Sequence, residues 1–341
     1  MIKTDTELIQ YLDDIENETL LAIDTEFRRI DSYFPELCLI QIATKDKLEC
    51  FDVLALNNLE PLFNKLYDEN TKWVVHSARQ DIEALYYLSN RTPSALFDTQ
   101  IAASFLNYPL QVSYQGLTES LQNINLEKKY TRFDWKKRPL PRDVLKYALD
   151  DVRYLIPIYN KLTKELIRHK RLDWVEEESK FLLDKGTYKP NYRQIIKKTK
   201  GISKISSEYV NNAIDLIFWR ESIAQKKNKP RKWIMSDEKL IDYAIGKNKL
   251  SLRKIDEFKN FLKNKGQNIN FEGLIKAQKP LSDREILEKN RLIEQINKLS
   301  IQYQIPSELI CTSKNLMNFI RGEDLVTINQ GWRSKIFKIS T

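Results

Sequence analysis

The chain has 341 residues and 42% hydrophobic content, so it is long enough for more than one domain and apolar enough to form buried cores. It contains no run approaching the roughly 20 apolar residues that a membrane span requires. The N-terminal segment MIKTDTELIQYLDD lacks the basic and apolar regions of a signal peptide. We therefore expect a soluble, cytoplasmic protein without membrane contacts.

The few cysteines and histidines limit the possible metal chemistry. Cys38, Cys50 and Cys311 form no CxxC pair, and His76 and His169 lie far apart in the sequence. These spacings argue against a zinc site and exclude a disulfide framework. Any metal ion would therefore be held by oxygen ligands.

Charge is distributed unevenly along the chain. Residues 1–150 carry 17 Lys+Arg against 24 Asp+Glu, a net charge of −7, whereas residues 151–341 carry 39 against 23, a net charge of +16. An acidic part can concentrate divalent cations, and a basic part attracts a polyanion such as RNA or DNA. A solvated surface without a partner would show the same asymmetry, so charge alone leaves both interpretations open.

The first part of the chain has the pattern of an α/β domain. Three short apolar segments within residues 19–53, TLLAIDTEF, ELCLIQIAT and KLECFDV, predict strands in an antiparallel meander. The sequence then predicts, in order, a helix near 59–68, a strand at 72–76, a helix from about 79 to 90 and a short strand around LFDTQ. This order predicts a mixed sheet with helices packed on it.

The later part of the chain reads as helical. After a less regular stretch at 108–140, helical periodicity runs from about 142 to 168, with an expected kink at Pro157, and a further helix is expected at 171–184. We predict four segments: the α/β domain at 1–185, a basic linker at 186–204, and two all-α helical bundles at 205–285 and 286–341.

Two acidic residues occur at the end of the first predicted strand. Asp24 and Glu26 are two residues apart, so both side chains leave the same face of the sheet. Adjacent, partly desolvated carboxylates repel each other, and a bound divalent cation would offset that repulsion. Two acids emerging into solvent at a strand end are the commoner explanation of such a pair.

Two further acidic positions lie on predicted helices. Asp81 follows the strand KWVVH at the start of a helix, where an aspartate more often caps the helix than binds a metal ion. Tyr147 and Asp151 are four residues apart on another helix and therefore share a face. Taken singly, each of these features has a structural explanation.

Together, the motifs DTEF, HSARQDIEAL and YALDDVRYL, in this order, resemble the three exonuclease motifs of the DEDD superfamily. Tyr147 fits its tyrosine-bearing branch, because Lys146 stands where the histidine branch would carry its histidine. Longer segments, DTEFRRIDSYFPELCLIQIAT, FDTQIAASFLNYP and FDWKKRPLPRDVLKYALDDVRYL, resemble the ribonuclease D family. The segment LEKKYTRFDW departs from that family's usual pattern.

The resemblance extends to the helical part of the chain. DLIFWRESIAQKKNKPRKWIMSDEKLIDYA resembles the helicase-and-RNase-D C-terminal (HRDC) module, and QIPSELICTSKNLMNFIRGEDL with GWRSKIF resembles a second, divergent copy. The resemblance as a whole implies a ribonuclease H-like exonuclease domain followed by all-α HRDC bundles. Basic bundles of this kind should grip RNA through its phosphate backbone. Trp219, Trp233 and Tyr243 could stack on bases or belong to the core.

The resemblance implies a 3′–5′ exoribonuclease that trims tRNA precursors and other small structured RNAs and releases nucleoside 5′-monophosphates. By analogy, two divalent ions, Mg²⁺ or Mn²⁺, would be held by Asp24, Glu26, Asp81 and Asp151, while Tyr147 orients the attacking water. Expected substrate-binding residues are Thr25, Phe27, His76, Trp135 and Arg138. No nucleotide cofactor is implied, and we expect a monomer, although the sequence does not determine the oligomeric state.

Two other functions fit the same residues. A DNA exonuclease would use the same metal chemistry, since contacts to the 2′-hydroxyl cannot be read from sequence. A noncatalytic RNA-binding protein could keep the exonuclease fold. The presence of all four acids and the tyrosine favours an active enzyme.

Overall fold

The computed structural model describes residues 1–127, 129–130, 132–264, 280–322, 328 and 330–337. The chain divides into two compact units: unit 1 comprises residues 1–28, 37–188 and 281–341, and unit 2 comprises residues 29–36 and 189–280. Parts of both predicted helical bundles, residues 265–279 and 323–327, lie outside the described residues.

Unit 1 is built around a five-stranded mixed sheet with the order β3-β2-β1-β4-β5. Its strands are β1 Leu20–Arg28, β2 Glu36–Ala43, β3 Leu48–Asp52, β4 Lys72–Val75 and β5 Ala95–Asp98. Strands β2 and β3 pair antiparallel, whereas β4 pairs parallel with both β1 and β5. The predicted mixed sheet is therefore confirmed, and β1, at its centre, is buried along Leu21, Ala22 and Ile23.

The helices of the first part of unit 1 cover this sheet. They are α1 Asp5–Asp14, α2 Glu60–Leu66, α3 Arg79–Ser89, α4 Thr99–Ser104, α5 Tyr114–Gln122, α6 Arg142–Arg153, α7 Leu155–Arg168 and α8 Leu172–Ser179. Helix α1 begins with a capping box formed by Thr4 and Glu7. Helices α1, α4 and α5 are not predicted from the sequence.

The long helix expected at 142–168 is divided into α6 and α7 at Tyr154. Pro157 explains the division, although it lies in the first turn of α7 and not at the break. A proline has no N–H to donate to the carbonyl four residues earlier, here Arg153, and its ring would clash with that carbonyl. The helix therefore ends at Arg153 and a new one begins, in place of the predicted kink.

Unit 2 is a helical bundle. Its helices are α9 Tyr192–Lys198, α10 Ser207–Lys226, α11 Arg231–Ile234, α12 Asp237–Ala244 and α13 Leu252–Asn264. The predicted linker contains α9, and Ile196 of that helix is fully buried in the core of the bundle. Trp219 is buried in the same core, whereas Trp233 is 63% exposed.

The last segment of the chain belongs to unit 1 by its contacts and is not a unit of its own. It contains α14 Asp283–Tyr303, α15 Ser307–Ile310, α16 Ser313–Ile320 and α17 Gly331–Phe337. The Trp332 indole stacks on Trp174 of α8, with ring centroids 4.9 Å apart. Arg171 donates to the Phe105 and Tyr303 carbonyls, 2.6 Å each, and so joins the segment to α4. Among the described residues, no helix is both long and apolar enough to cross a membrane.

Replacing Trp332 with alanine tests this shared core. Because Trp332 is fully buried and its indole N–H donates to Glu178 at 2.9 Å, Trp332→Ala should lower the free energy of unfolding by about 3–5 kcal/mol. The exposed Trp233 provides the matched control, and Trp233→Ala should change stability by less than about 0.5 kcal/mol. Equal effects of the two substitutions in urea unfolding would contradict the shared core.

Candidate active site

Three carboxylates converge beside the C-terminal half of β1. Asp24 and Glu26 lie on β1, and Asp151 lies on α6, which packs against β1 and β3. One carboxylate oxygen from each of the three lies within 4.8 Å of the other two. The sequence predicted that the first two would share a face, and the structure adds Asp151 to them.

Asp81 lies in the same cavity but is more deeply buried than the other three acids, with 6% exposure. Its Oδ1 accepts hydrogen bonds from the Thr25 hydroxyl at 2.7 Å and from the Thr25 backbone N–H at 3.2 Å. Thr25 sits between Asp24 and Glu26 in the strand, so the same strand that presents two of the acids also fixes Asp81. We predict that Thr25 contacts the substrate. Its bonds in the structure indicate that it also positions the Asp81 carboxylate.

Asp98 at the end of β5 organises the backbone around the cavity. It accepts hydrogen bonds from the N–H groups of Ser77 and Ala78 at 3.1 and 2.8 Å, just before α3, and caps α4 through Gln100 at 2.9 Å. Ser77 has a left-handed backbone with φ of 62°, which these bonds stabilise. Asp98 therefore fixes the start of the helix that carries Asp81.

His76 is held by two neighbours and lines the cavity. Its Nε2 lies 3.0 Å from the Val112 carbonyl oxygen and its Nδ1 lies 2.9 Å from the Thr99 hydroxyl. Since a carbonyl only accepts, Nε2 carries the proton. Burial lowers the pKa of His76, so the ring is neutral near pH 7 and joins the segment after α4 to β4.

Helix α6 also brings Tyr147 to the cavity, one turn before Asp151. Burial and then the charge of Asp151 raise the pKa of the Tyr147 phenol, so the phenol keeps its proton at neutral pH. It can therefore donate a hydrogen bond but cannot act as a general base.

The four acids strongly perturb one another. Burial, followed by the charges of Asp81, Asp151 and Glu26, raises the pKa of Asp24 well above its usual range. Burial and the charges of Asp151 and Asp81 do the same to Glu26. Burial raises the pKa of Asp81 and of Asp151 to about 7, against the opposing hydrogen bonds from Thr25 and Tyr147. Close negative charges without a nearby cation are costly to ionise.

This donor set fits a divalent cation. The ligands are carboxylate oxygens, which Mg²⁺ and Mn²⁺ prefer, and their mutual repulsion is the kind that a dication relieves. Asp24, Glu26 and Asp151 are close enough to share one ion. The described residues therefore provide a site for divalent metal.

The cavity measures about 500 Å³ and has a mixed lining. Besides the acids, Tyr147, Thr25, Phe27 and His76, it is lined by Ser77, Gln80, Gln100, Gln111, Ser113, Tyr114 and Gln115. Sequence reasoning missed this last group, because four of its members, Gln111, Ser113, Tyr114 and Gln115, come from the stretch 108–140, whose sequence shows no clear periodicity. The run FDTQIAASFLNYP, which carried part of the family resemblance, was the available signal for Gln100.

Trp135 and Arg138 do not line this cavity. Trp135 is 3% exposed and packs in a core cluster with Cys38 and Leu39. The Arg138 guanidinium forms a bidentate pair with Asp52, at 2.7 and 2.6 Å, and donates to the Trp135 carbonyl at 2.7 Å. These contacts explain both residues without a substrate.

Comparison with known proteins matches residues 1–167 to the 3′–5′ exonuclease family model. The chain is 32% identical to the ribonuclease D of Bartonella henselae, over 99% of this chain and 87% of that protein. It is 31% identical to the ribonuclease D of a Jannaschia species, over 98% and 92% of the two chains. Its fold matches the crystal structure of Escherichia coli RNase D with a TM-score of 0.81 and 22% identity, covering 98% and 95% of the two chains.

Removing the Thr25 hydroxyl should weaken the metal site. Thr25→Val keeps the size of the side chain but leaves Asp81 without its 2.7 Å partner, so divalent affinity should fall about 10–100-fold. Thr25→Ser keeps the hydroxyl and serves as the control. Isothermal titration with Mn²⁺ measures both, and equal affinities for Thr25→Val and the wild type would contradict the positioning role.

The perturbed acids predict a pH-dependent stability of the metal-free protein. Between the ordinary aspartate pKa of 3.8 and the folded-state value of about 7, Asp81 and Asp151 are protonated when folded and ionised when unfolded. The folded state then binds more protons, so raising the pH through this interval should lower the unfolding temperature. Asp24→Asn should raise the unfolding temperature in EDTA, because it removes one of the crowded acids. Mn²⁺ should raise the unfolding temperature of the wild type but not that of Asp24→Asn. A lower unfolding temperature for Asp24→Asn would oppose this account.

Proposed function

Because the chain belongs to the ribonuclease D family, we propose that it is a 3′–5′ exoribonuclease that acts on structured RNA. The convergence of Asp24, Glu26 and Asp151 in the cavity that also contains Asp81 and Tyr147 is the observation that supports it most strongly. Four acids and a protonated phenol in one cavity match the requirements of metal-assisted phosphodiester hydrolysis.

In the proposed mechanism, Asp24, Glu26, Asp81 and Asp151 hold two divalent ions, Mg²⁺ or Mn²⁺. Bound there, the ions would supply a water nucleophile at neutral pH and neutralise charge on the scissile phosphate. Thr25 keeps the Asp81 carboxylate in its orientation through the bonds described above. Asp98 and neutral His76 fix the turn between β4 and α3, the helix that carries that carboxylate.

Tyr147 has the role of a hydrogen-bond donor in this proposal. Its raised pKa keeps the phenolic proton in place, so the group would orient the attacking water and would not remove its proton. Phe27, in the lining of the cavity, offers an apolar surface for the terminal base. The products would be nucleoside 5′-monophosphates, released one at a time from a 3′ end.

We further propose tRNA precursors and other small structured RNAs as substrates. The net charge of +16 over residues 151–341 supports binding to a polyanion, and the exposed Trp233 in unit 2 offers a stacking surface.

The test uses 5′-labelled RNA and DNA of one sequence, each with a free or a blocked 3′ end. The wild type in Mg²⁺ or Mn²⁺ should shorten the free-ended RNA stepwise and leave the blocked strand intact, and EDTA should abolish the reaction. Asp151→Asn should be at least about 10³-fold slower, since it removes a metal ligand. Asp150→Asn is the matched control, because that neighbouring side chain pairs with Arg153 at 2.8 Å. Full activity in EDTA, or faster cleavage of DNA than of RNA, would contradict the proposal.

A further inference from the structure

A second cavity in unit 1 is lined by cationic side chains. It measures about 470 Å³, and its lining includes Lys161, Lys164, Arg168 and Arg171 against one acid, Glu165. Glu165 pairs with Arg168 at 2.5 Å. The formal charge of these five side chains is therefore +3, in the same unit as the cavity lined by four acids.

The charge in this cavity is only partly compensated. Lys161 donates to the Leu121 carbonyl, and buried Arg171 donates to the Phe105 and Tyr303 carbonyls, which accept hydrogen bonds without cancelling a full positive charge. Lys164 is exposed and has no ion-pair partner among the described residues. Such a lining attracts an anion with several oxygen acceptors, and phosphate is the common one.

A third cavity of about 590 Å³ adjoins the cationic one, because Asn107, Tyr108 and Gln304 line both. Its other walls include Pro109 and Ile301, and Ile301 is 79% exposed. An aromatic ring and exposed apolar groups next to a cluster of cations are the two surfaces that a nucleotide needs, one for its base and one for its phosphate. We call the two adjoining cavities the groove.

The groove lies near the acidic cavity, because residues only three positions apart in the sequence line the two. Tyr108 lines the groove and Gln111 lines the acidic cavity, and three residues span at most about 11 Å. Tyr108 is fixed by a 3.1 Å hydrogen bond to Ser120. A strand whose 3′ end lies in the acidic cavity could therefore reach the groove within a few nucleotides.

We propose that the groove binds an RNA strand upstream of the nucleotide that is removed, with phosphates on Lys161 and Lys164 and a base on Tyr108. This inference rests on the proposed exoribonuclease function for the identity of its ligand. The groove would give unit 1 a second RNA-binding surface. It would favour strands long enough to extend from the acidic cavity to the groove.

Binding to RNA in EDTA tests the groove without cleavage. Fluorescence anisotropy would compare a trinucleotide with a longer single strand, using the wild type, Lys161→Gln/Lys164→Gln and the charge-matched control Lys45→Gln/Lys180→Gln, whose lysines are exposed and outside the groove. The groove variant should bind the longer strand roughly tenfold more weakly at low salt, and its salt slope should fall by about 1.4. Its affinity for the trinucleotide should equal that of the control.

Tyr108 supplies an independent measurement. Tyr108→Ala should weaken binding of the longer strand, whereas Tyr108→Phe, which keeps the ring and loses only the bond to Ser120, should not. Equal binding of the longer strand by the lysine variant and its control would overturn the proposal that the groove binds RNA. Competition by poly-glutamate as strong as that by unlabelled RNA would overturn it as well. RNA that binds as expected but is not degraded in Mg²⁺ or Mn²⁺ would overturn the exoribonuclease and leave the groove standing.

Discussion

The structure of the site depends on the cost of placing four carboxylates together in a partly buried cavity. Burial raises the pKa of all four carboxyls, neighbouring negative charges add to the effect, and a dication is the simplest group that lowers the cost. A flexible scaffold would relieve the repulsion by moving the acids apart. Here the central strand β1, fully buried along Leu21, Ala22 and Ile23, prevents that movement, and Thr25 and Tyr147 hold the two acids contributed by helices.

Much of this arrangement could be predicted from local spacing. Asp24 and Glu26 are two positions apart on a strand, and Tyr147 and Asp151 are four positions apart on a helix. In each case the period of the element places both side chains in one cavity. The bond between Thr25 and Asp81 spans 56 residues, and no local period indicates it. Sequence is equally uninformative about Trp135 and Arg138. A cation near an aromatic residue has the same sequence pattern whether the cation binds a phosphate or, as here, Asp52.

The division of the helical part was harder to read for a related reason. Amphipathic periodicity shows that a helix has an apolar face but not which surface covers it. Ile196 lies in a cation-rich segment that resembles a linker, and yet it enters the core of unit 2. Trp332 lies in a segment whose pattern predicts a small separate bundle, and yet it stacks on Trp174 in unit 1. Only the three-dimensional contacts distinguish these cases.

The membership of residues 281–337 in unit 1 has a consequence for synthesis. A nascent chain that has reached residue 280 already contains every acid of the site, but it lacks the aromatic and glutamate-bound contacts that complete the core around α8. Domains generally fold in order as they leave the ribosome, and here the catalytic unit must wait until unit 2 has been made. The nuclease unit thus completes its core only after unit 2 has been synthesised, because segments before and after unit 2 in the sequence both contribute to it.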